Sequence, residues 1–200
     1  MLKNRDRSII SSADPYDDLT GFYIIDPVHS TVGFSVRHAM VSKVHGKFDT
    51  FEGLLKLDRS QPSRSEAYMS VQTLSLDTGA QERDMHLRGP SFLDSATFPL
   101  MTFHSTGIVP AGDDAFRVLG HLRIKDLELP IGIDVEFGGA SRDTDGQNRV
   151  GFEGRAALRR SDWGLTWNAS LETGGVLIGD VVTLVLDISA VQVFHRPAAI

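Results

Sequence analysis

Apolar residues occupy every second position in one segment after another of this 200-residue sequence, and turn-forming residues separate the segments. In 115–125, for example, Phe116, Val118, Leu122 and Ile124 alternate with polar or charged residues. Successive side chains of a β-strand point to opposite faces, so this pattern predicts antiparallel strands with one buried and one solvated face. We predict an all-β fold with strands near 22–26, 30–40, 43–58, 66–75, 100–109, 115–125, 131–139, 149–160 and 179–194.

One segment departs from the alternating pattern and predicts a helix. In "LDTGAQERDMHLRGPSFLD", Thr78 followed three positions later by Gln81 matches a capping box, and Gly89 followed by proline is a stop signal. We expect a short helix near 79–88 and a second helical turn beginning at Ser91. No repeat or linker divides the chain, which predicts a flexible polar leader at 1–20 and a single domain at 21–195.

Composition excludes several classes of function. The balance of 20 Lys+Arg against 26 Asp+Glu gives a net charge of −6, and no basic patch suits nucleic acid. Cysteine is absent, which excludes disulfides and thiolate chemistry. Asp180 and Asp187 interrupt the most apolar segment, so we predict no transmembrane segment. The amino terminus lacks the apolar run of a secretory signal, and we expect a cytoplasmic protein.

The sequence contains no strong catalytic or metal-binding motif. Gly-x-Ser-x-Gly and His-Glu-x-x-His are both absent. His86 and Asp84 point in different directions on the predicted helix, and His38 and His45 flank a hairpin without a third ligand. The stretch 143–146 resembles a calcium loop but lacks its glycine and glutamate spacing. We predict no catalytic residue, no metal site and no cofactor.

Two arginines are predicted to have structural roles. Arg83 or Arg160 is expected to pair with Asp84, Asp94 or Asp162 and so to tie the helix to the sheet. A planar guanidinium suits such bidentate pairing with a carboxylate.

Several motifs in a fixed order carry a family resemblance. They are "IDPVHSTVGFSVRHAMVSKVHGKFDTFEG", "LDTGAQERDMHL", "FLDSATFPLMTFHST", "GHLRIKDLELPI", "VGFEGRAALRRSDWGLTWN" and "GGVLIGDVVTLVLDI". On these motifs the chain resembles the YceI family over about residues 22–190. The resemblance implies an eight-stranded, lipocalin-like antiparallel barrel with one or two short helices and a YceI-like domain at 21–195. Its interior would bind a long isoprenoid or a similar amphiphilic chain. The family usually has Thr-Lys or Thr-Arg where this chain has Glu128-Leu129, and many members carry a secretory signal that this chain lacks.

An eight-stranded barrel can be filled by side chains or can hold one small ligand. Small or flexible residues on the inward faces, among them Met69, Gly120 and Gly154, favour a cavity. We predict that the ligand is bound by Val32, Phe34, Val36, His38, Met69, Val71, Met101, Phe103, Leu122, Ile124, Ile133, Val135, Phe152, Ala156 and Leu158. For His38 two interpretations stay open: it donates a hydrogen bond to the ligand head group, or a neighbouring strand carbonyl satisfies it.

Three functions are compatible with these features. The first is non-enzymatic binding, storage or transport of a long-chain isoprenoid lipid such as a prenylquinone. The second is a lipid-modifying enzyme that uses His38 or His104 as a base. The third is an interaction module with a solidly packed barrel. The family resemblance also implies a possible homodimer.

Overall fold

The computed structural model describes residues 19–39, 41–144, 146–170 and 175–195. Within these ranges the chain forms eleven β-strands and one α-helix. The elements in chain order are β1 (Gly21–Ile25), β2 (Thr31–His38), β3 (Ser42–Phe48), β4 (Phe51–Leu57), β5 (Glu66–Gln72), β6 (Leu76–Asp77), α1 (Gln81–Arg88), β7 (Leu100–Pro110), β8 (Ala115–Ile124), β9 (Leu127–Arg142), β10 (Asn148–Arg159) and β11 (Ile178–Val193). Short 3₁₀ turns occupy Pro62–Arg64, Thr73–Ser75 and Arg160–Trp163.

Eight of these strands close into an antiparallel barrel. Their order is β1-β4-β5-β7-β8-β9-β10-β11, and β1 also pairs with β11, which closes the ring. The remaining strands β2, β3 and β6 extend from β11, which pairs with β2 through residues 178–187. The predicted all-β class and the eight-stranded lipocalin-like barrel are confirmed.

Two local predictions were wrong. The predicted strand 43–58 is two strands, because Asp49 and Thr50 form a turn between β3 and β4. The predicted helix near 79–88 is confirmed at Gln81–Arg88, but Ala80 is its N-cap without a side-chain cap, and the segment from Ser91 forms turns rather than the predicted helical turn. The Thr78 hydroxyl donates instead to the buried Asp84 carboxylate at 2.5 Å, so it is not free to cap the helix.

The predicted arginine–carboxylate pairs are absent from the described residues. Arg83 donates to the hydroxyl and the carbonyl of Thr78. Arg160 is buried and donates to the carbonyl oxygens of Gly179 and Trp167, each at 3.0 Å, and to that of Leu165. Burial lowers the pKa of Arg160. Its role is structural, as predicted, but its partners are backbone carbonyls of β11 and of the segment that precedes β11.

An ion pair fixes the turn between β1 and β2. The Asp26 carboxylate accepts from Arg149 Nη1 at 2.6 Å, lies 2.8 Å from His29 Nδ1, and accepts from the Val28 N–H at 3.0 Å. The Arg149 hydrogen bond, followed by that of His29, lowers the pKa of Asp26 to about 2. The carboxylate therefore stays ionised and holds the turn against β10.

Packed side chains fill one end of the barrel. The rings of Phe34 and Phe48 lie 5.8 Å apart there, and the buried Leu76 of β6 pairs with Phe48. Trp163 is also buried, and its Nε1 donates to the Leu122 carbonyl at 3.1 Å. We call this end the closed end.

The first described residues contact the opposite end of the barrel. Residues 1–18 of the predicted leader lie outside the described residues. Leu19 is buried, its carbonyl accepts from the Tyr23 hydroxyl, and the Thr20 hydroxyl accepts from the Arg59 N–H. None of the helices in the described ranges has the length and hydropathy needed to cross a membrane.

Candidate functional site: a cavity in the barrel

A narrow cavity of about 190 Å³ lies inside the barrel. Its wall is almost entirely aliphatic and aromatic, and it includes residues from β7, β8, β9 and β11. Glu66 and Tyr68 also contribute to the wall, but the Glu66 carboxylate is paired with Lys56 at 2.7 Å. The cavity therefore offers dispersion contacts along its length and few hydrogen bonds.

A wider and more polar cavity of about 680 Å³ lies at the open end of the barrel, and we call it the mouth. The two cavities share the lining residues Leu57, Ile108, Val118, Val135 and Phe152, so the narrow cavity opens into the mouth.

Charged residues surround the mouth. Asp58, Asp113 and Asp114 contribute three carboxyl groups, and Arg59 contributes one guanidinium. The Ser60 hydroxyl and a backbone N–H donate to Asp58 and lower its pKa. The mouth therefore carries an excess of negative charge.

Ten of the fifteen predicted binding residues lie on the wall of the narrow cavity. They are Val32, Met69, Val71, Met101, Phe103, Leu122, Ile124, Ile133, Val135 and Phe152. The period-two pattern of the strands placed them on the inward face. Their contact with a ligand stays a prediction.

The other five predicted residues lie elsewhere. Phe34 packs on the wall residue Phe48 at the closed end but does not itself line the cavity, and Val36 lies further along β2 between Val44 and Val182. Ala156 and Leu158 are buried in the packed core and do not reach the cavity. His38 also lies off the wall. Period two gives the correct face of a strand, but it does not show which inward side chains reach the cavity.

The two histidines considered as catalytic bases lie outside the cavity. His38 is at the end of β2, opposite Ile178, and the pairing register puts this end far from the mouth. His104 is exposed on the outer wall and pairs across strands with His121. Among the described residues, no histidine lines either cavity.

Gly120 was expected to leave space inside the barrel, but the ring of Phe103 occupies that space. A Cβ at position 120 would lie 2.5 Å from this ring and in contact with the His104 carbonyl oxygen. The glycine therefore allows an aromatic residue on the neighbouring strand to pack close to the backbone. A small inward residue indicates close packing here rather than empty volume.

Several wall residues were missed in the sequence. On β11, Leu184, Leu186 and Ile188 line the cavity, and on β8 Val118 does so. All four sit at alternate positions of predicted strands, so the period-two signal for them was present.

Metal-ligating side chains meet at one place in the described part of the chain. His104, His121 and Glu128 bring one potential ligand atom each to within 4.8 Å of one another. His38 and His45, which flank the β2–β3 hairpin, do not belong to such a group.

Comparison with known proteins gives consistent matches. A YceI-like domain model matches residues 23–190. A UPF0312 protein from Azotobacter vinelandii is 35% identical over 145 residues, which cover 72% of this chain and 76% of that protein. The crystal structure of Burkholderia cenocepacia BcnA superposes with a TM-score of 0.73 at 23% identity, covering 82% of this chain and 98% of that one. A polyisoprenoid binding domain from Saccharophagus degradans, implicated in plant cell wall breakdown, has a TM-score of 0.65 at 17% identity, with coverage of 86% and 98%.

Proposed function

Because the chain belongs to the YceI-like family, we propose that its barrel binds, stores or transports a long-chain isoprenoid or similar amphiphilic lipid without chemical change. The observation that carries this proposal is the narrow apolar cavity that opens into a wider polar mouth. An amphiphile has the same two parts. The name of the Saccharophagus degradans domain, which shares the fold, supports an isoprenoid as the ligand.

The dimensions of the narrow cavity suit a segment of an aliphatic chain. Its volume of about 190 Å³ is below the roughly 300–1,000 Å³ of common ligand pockets, whereas the mouth at about 680 Å³ falls within that range. Each methylene buried against the wall contributes about 0.8 kcal/mol. Met69 and Met101 are flexible side chains that adapt to the branches of an isoprenoid.

The charge of the mouth favours a neutral head group. Asp58, Asp113 and Asp114 outnumber Arg59 and the neighbouring Arg64, so their net negative charge would disfavour a phosphate. A prenylquinone has a polar but uncharged head, and it fits this environment better than a prenyl phosphate. We therefore propose a prenylquinone or a similar neutral prenyl lipid as the ligand.

The alternative functions receive less support. The enzyme hypothesis needs a base in the cavity, and both of its candidates, His38 and His104, lie outside. A solidly packed interaction module is disfavoured by the two connected cavities. The cytoplasmic location and the homodimer stay predictions.

Organic extraction and native mass spectrometry of the purified full chain test this function. We expect a copurified neutral lipid, and after its removal uptake of a prenylquinone and of the prenol with the same chain length. The matching prenyl phosphate should bind more weakly. A ligand-free mass together with no uptake of any of the three lipids would refute lipid binding, and preferential uptake of the phosphate would refute the neutral head group.

Two matched substitutions test whether the ligand passes between the mouth and the narrow cavity. Val135 lines both cavities, while Val109 is exposed on the outer wall. Val135→Asp should abolish prenylquinone uptake, because a carboxylate in the apolar passage is costly to desolvate. Val109→Asp introduces the same charge outside and should leave uptake unchanged. Equal uptake by both variants would contradict the proposed path.

A further inference from the structure

Two histidines and a glutamate form a cluster on the outer wall of the barrel, on three successive strands. His104 of β7 lies directly opposite His121 of β8, and their rings stack with centroids 5.3 Å apart. Glu128 of β9 is diagonal to His121, because Arg123 is its direct partner and Pro130 is that of His121. The backbone ladder of these strands holds all three side chains on one face.

The cluster has the ligands and spacing of a transition-metal site. One potential ligand atom from each residue lies within 4.8 Å of the others. Tetrahedral zinc with metal–ligand distances of about 2.0–2.1 Å needs ligand atoms about 3.3 Å apart. Rotation of the exposed His104 and Glu128 side chains can shorten the distances between the ligand atoms to this value. Imidazole nitrogens with one carboxylate suit zinc and its neighbours in the first transition row rather than magnesium or calcium.

Within the described ranges, one polar atom of the cluster lacks a hydrogen-bond partner, which also indicates a missing ligand. His121 Nδ1 is buried and has no hydrogen-bond partner among the described residues. Buried polar atoms are normally satisfied, so an unpaired one calls for an explanation.

The glutamate is held in place from one side. Arg123 donates to Glu128 Oε2 through Nε at 3.0 Å and through Nη2 at 2.7 Å. In the described residues Oε1 accepts no hydrogen bond, so one oxygen stays available to an ion. Arg123 also brings a positive charge close to the cluster, which reduces the affinity for a cation. Its hydrogen bonds nevertheless orient the carboxylate, as outer partners of metal ligands commonly do.

We propose that His104, His121 and Glu128 bind a divalent first-row transition metal ion, such as Zn²⁺, on the outer wall of the barrel. Three protein ligands leave a coordination position for water or another group. The sequence had predicted no metal site. Because adjacent residues of a strand face opposite sides, the ion would be separated from the lipid cavity by the barrel wall.

Calorimetric titration of the metal-stripped full chain with Zn²⁺ tests the site. We expect saturable binding of one ion per chain. Changing an outer partner of a metal ligand commonly weakens binding 10–100-fold, so loss of a ligand itself should cost at least about 100-fold. We expect this loss for His104→Ala and His121→Ala, and a smaller loss for Glu128→Gln. His45→Ala is the matched control, because His45 is an exposed strand histidine outside the cluster, and it should bind Zn²⁺ as the wild type does.

Cobalt gives a second readout that reports on the ligands directly. Co²⁺ should produce visible absorption bands in the wild type and His45→Ala, and these bands should be lost in His104→Ala. His104 is exposed, so this variant is expected to fold even if His121→Ala does not. Zn²⁺ should also raise the melting temperature of the wild type but not of His104→Ala, because an ion that binds only the folded chain stabilises it. The proposal is overturned if millimolar Zn²⁺ does not bind, or if binding survives all three cluster substitutions.

Discussion

Ala67 lies on β5 at the wall of the narrow cavity, and its replacement by isoleucine tests whether that cavity holds unfilled space. Isoleucine adds three carbons. At roughly the volume of one liquid water molecule each, they need about 90 Å³. The cavity offers about 190 Å³. A β-branched residue also suits a strand. The added atoms should therefore enter the cavity without displacing the wall.

The expected stabilisation follows from the burial of these carbons. At about 0.8 kcal/mol for each buried carbon, Ala67→Ile should raise the free energy of unfolding of the lipid-free protein by about 2 kcal/mol. For a chain of this size, that corresponds to a rise in melting temperature of about 4–8 °C. The same side chain takes space from the ligand, so prenylquinone uptake should fall.

Two other alanines provide matched controls. Ala190 is fully buried in packed core, and Ala190→Ile should lower the free energy of unfolding by about 1–3 kcal/mol through overpacking. Ala157 is exposed on the outer face of β10, and Ala157→Ile should change stability by less than about 0.5 kcal/mol and leave uptake unchanged. Differential scanning calorimetry of delipidated proteins measures all three. If Ala67→Ile destabilises the protein as much as Ala190→Ile, the barrel interior is full and the reasoning fails.

Further predictions concern three other sites. The pKa of Asp26 is lowered to about 2, so its ion pair stabilises the fold above the unfolded value near 3.8 and is lost as pH falls through 2. When the pH falls from 5 to 2, the free energy of unfolding from urea titrations should decrease by up to about 2 kcal/mol more in the wild type than in Asp26→Asn. Equal decreases in the two proteins would contradict this. Gly120→Ala should lower the free energy of unfolding by about 1–3 kcal/mol. Gly107→Ala should not, because a Cβ at position 107 meets no atom within 4 Å. Equal denaturation midpoints for the two variants would refute the packing argument. Arg160→Met should lower the free energy of unfolding by about 3 kcal/mol, because it leaves several carbonyl oxygens without donors. Arg159→Met, at an exposed position, should change it little, and similar shifts in melting temperature for the two variants would count against this role.

The strands were predictable because long runs of period two remain in the barrel strands, even where bulges interrupt β7 and the pairing of β9 with β10. The boundaries of β7, β8, β10 and β11 lie within one residue of their predicted positions. Strand β6 was missed because two residues, Leu76 and Asp77, are too few to show a period. The capping box failed because the Thr78 hydroxyl donates to the Asp84 side chain, six residues further on, and caps no backbone N–H of the helix.

The cavity was harder to predict than the fold. Alternation gave the inward face, but the closed end is set by contacts between segments distant in sequence, such as Phe48 with Leu76. Ala156 and Leu158 satisfy the same pattern as the true wall residues, yet both are buried in packed core and do not line the cavity. Gly120 shows in addition that a missing side chain is no sign of space when a neighbouring ring fills it.

A β-bulge explains why the histidine cluster could not be found from the sequence. Near the β7–β8 turn, Pro110 lies opposite Phe116. If the same register continued along the two strands, His104 would lie opposite Leu122. The register shifts by one residue between Ser105 and Gly107, which brings His104 opposite His121 instead. A single inserted residue therefore decides which side chains meet on the outer wall.

The position of β11 in the ring has a consequence for how the chain reaches its folded state. This strand is hydrogen-bonded to β10, to β2 and to β1, and Tyr23 of β1 meets its partner Gln192 only about 170 residues later. Strand β1 can pair with β4, and β2 with β3, soon after these segments are synthesised, but neither can pair with β11 until nearly the whole domain is present. Until then the apolar lining of the future cavity faces solvent on an open sheet. We expect closure to be slow, because its contacts are distant in sequence, and to be the step at which aggregation competes with folding.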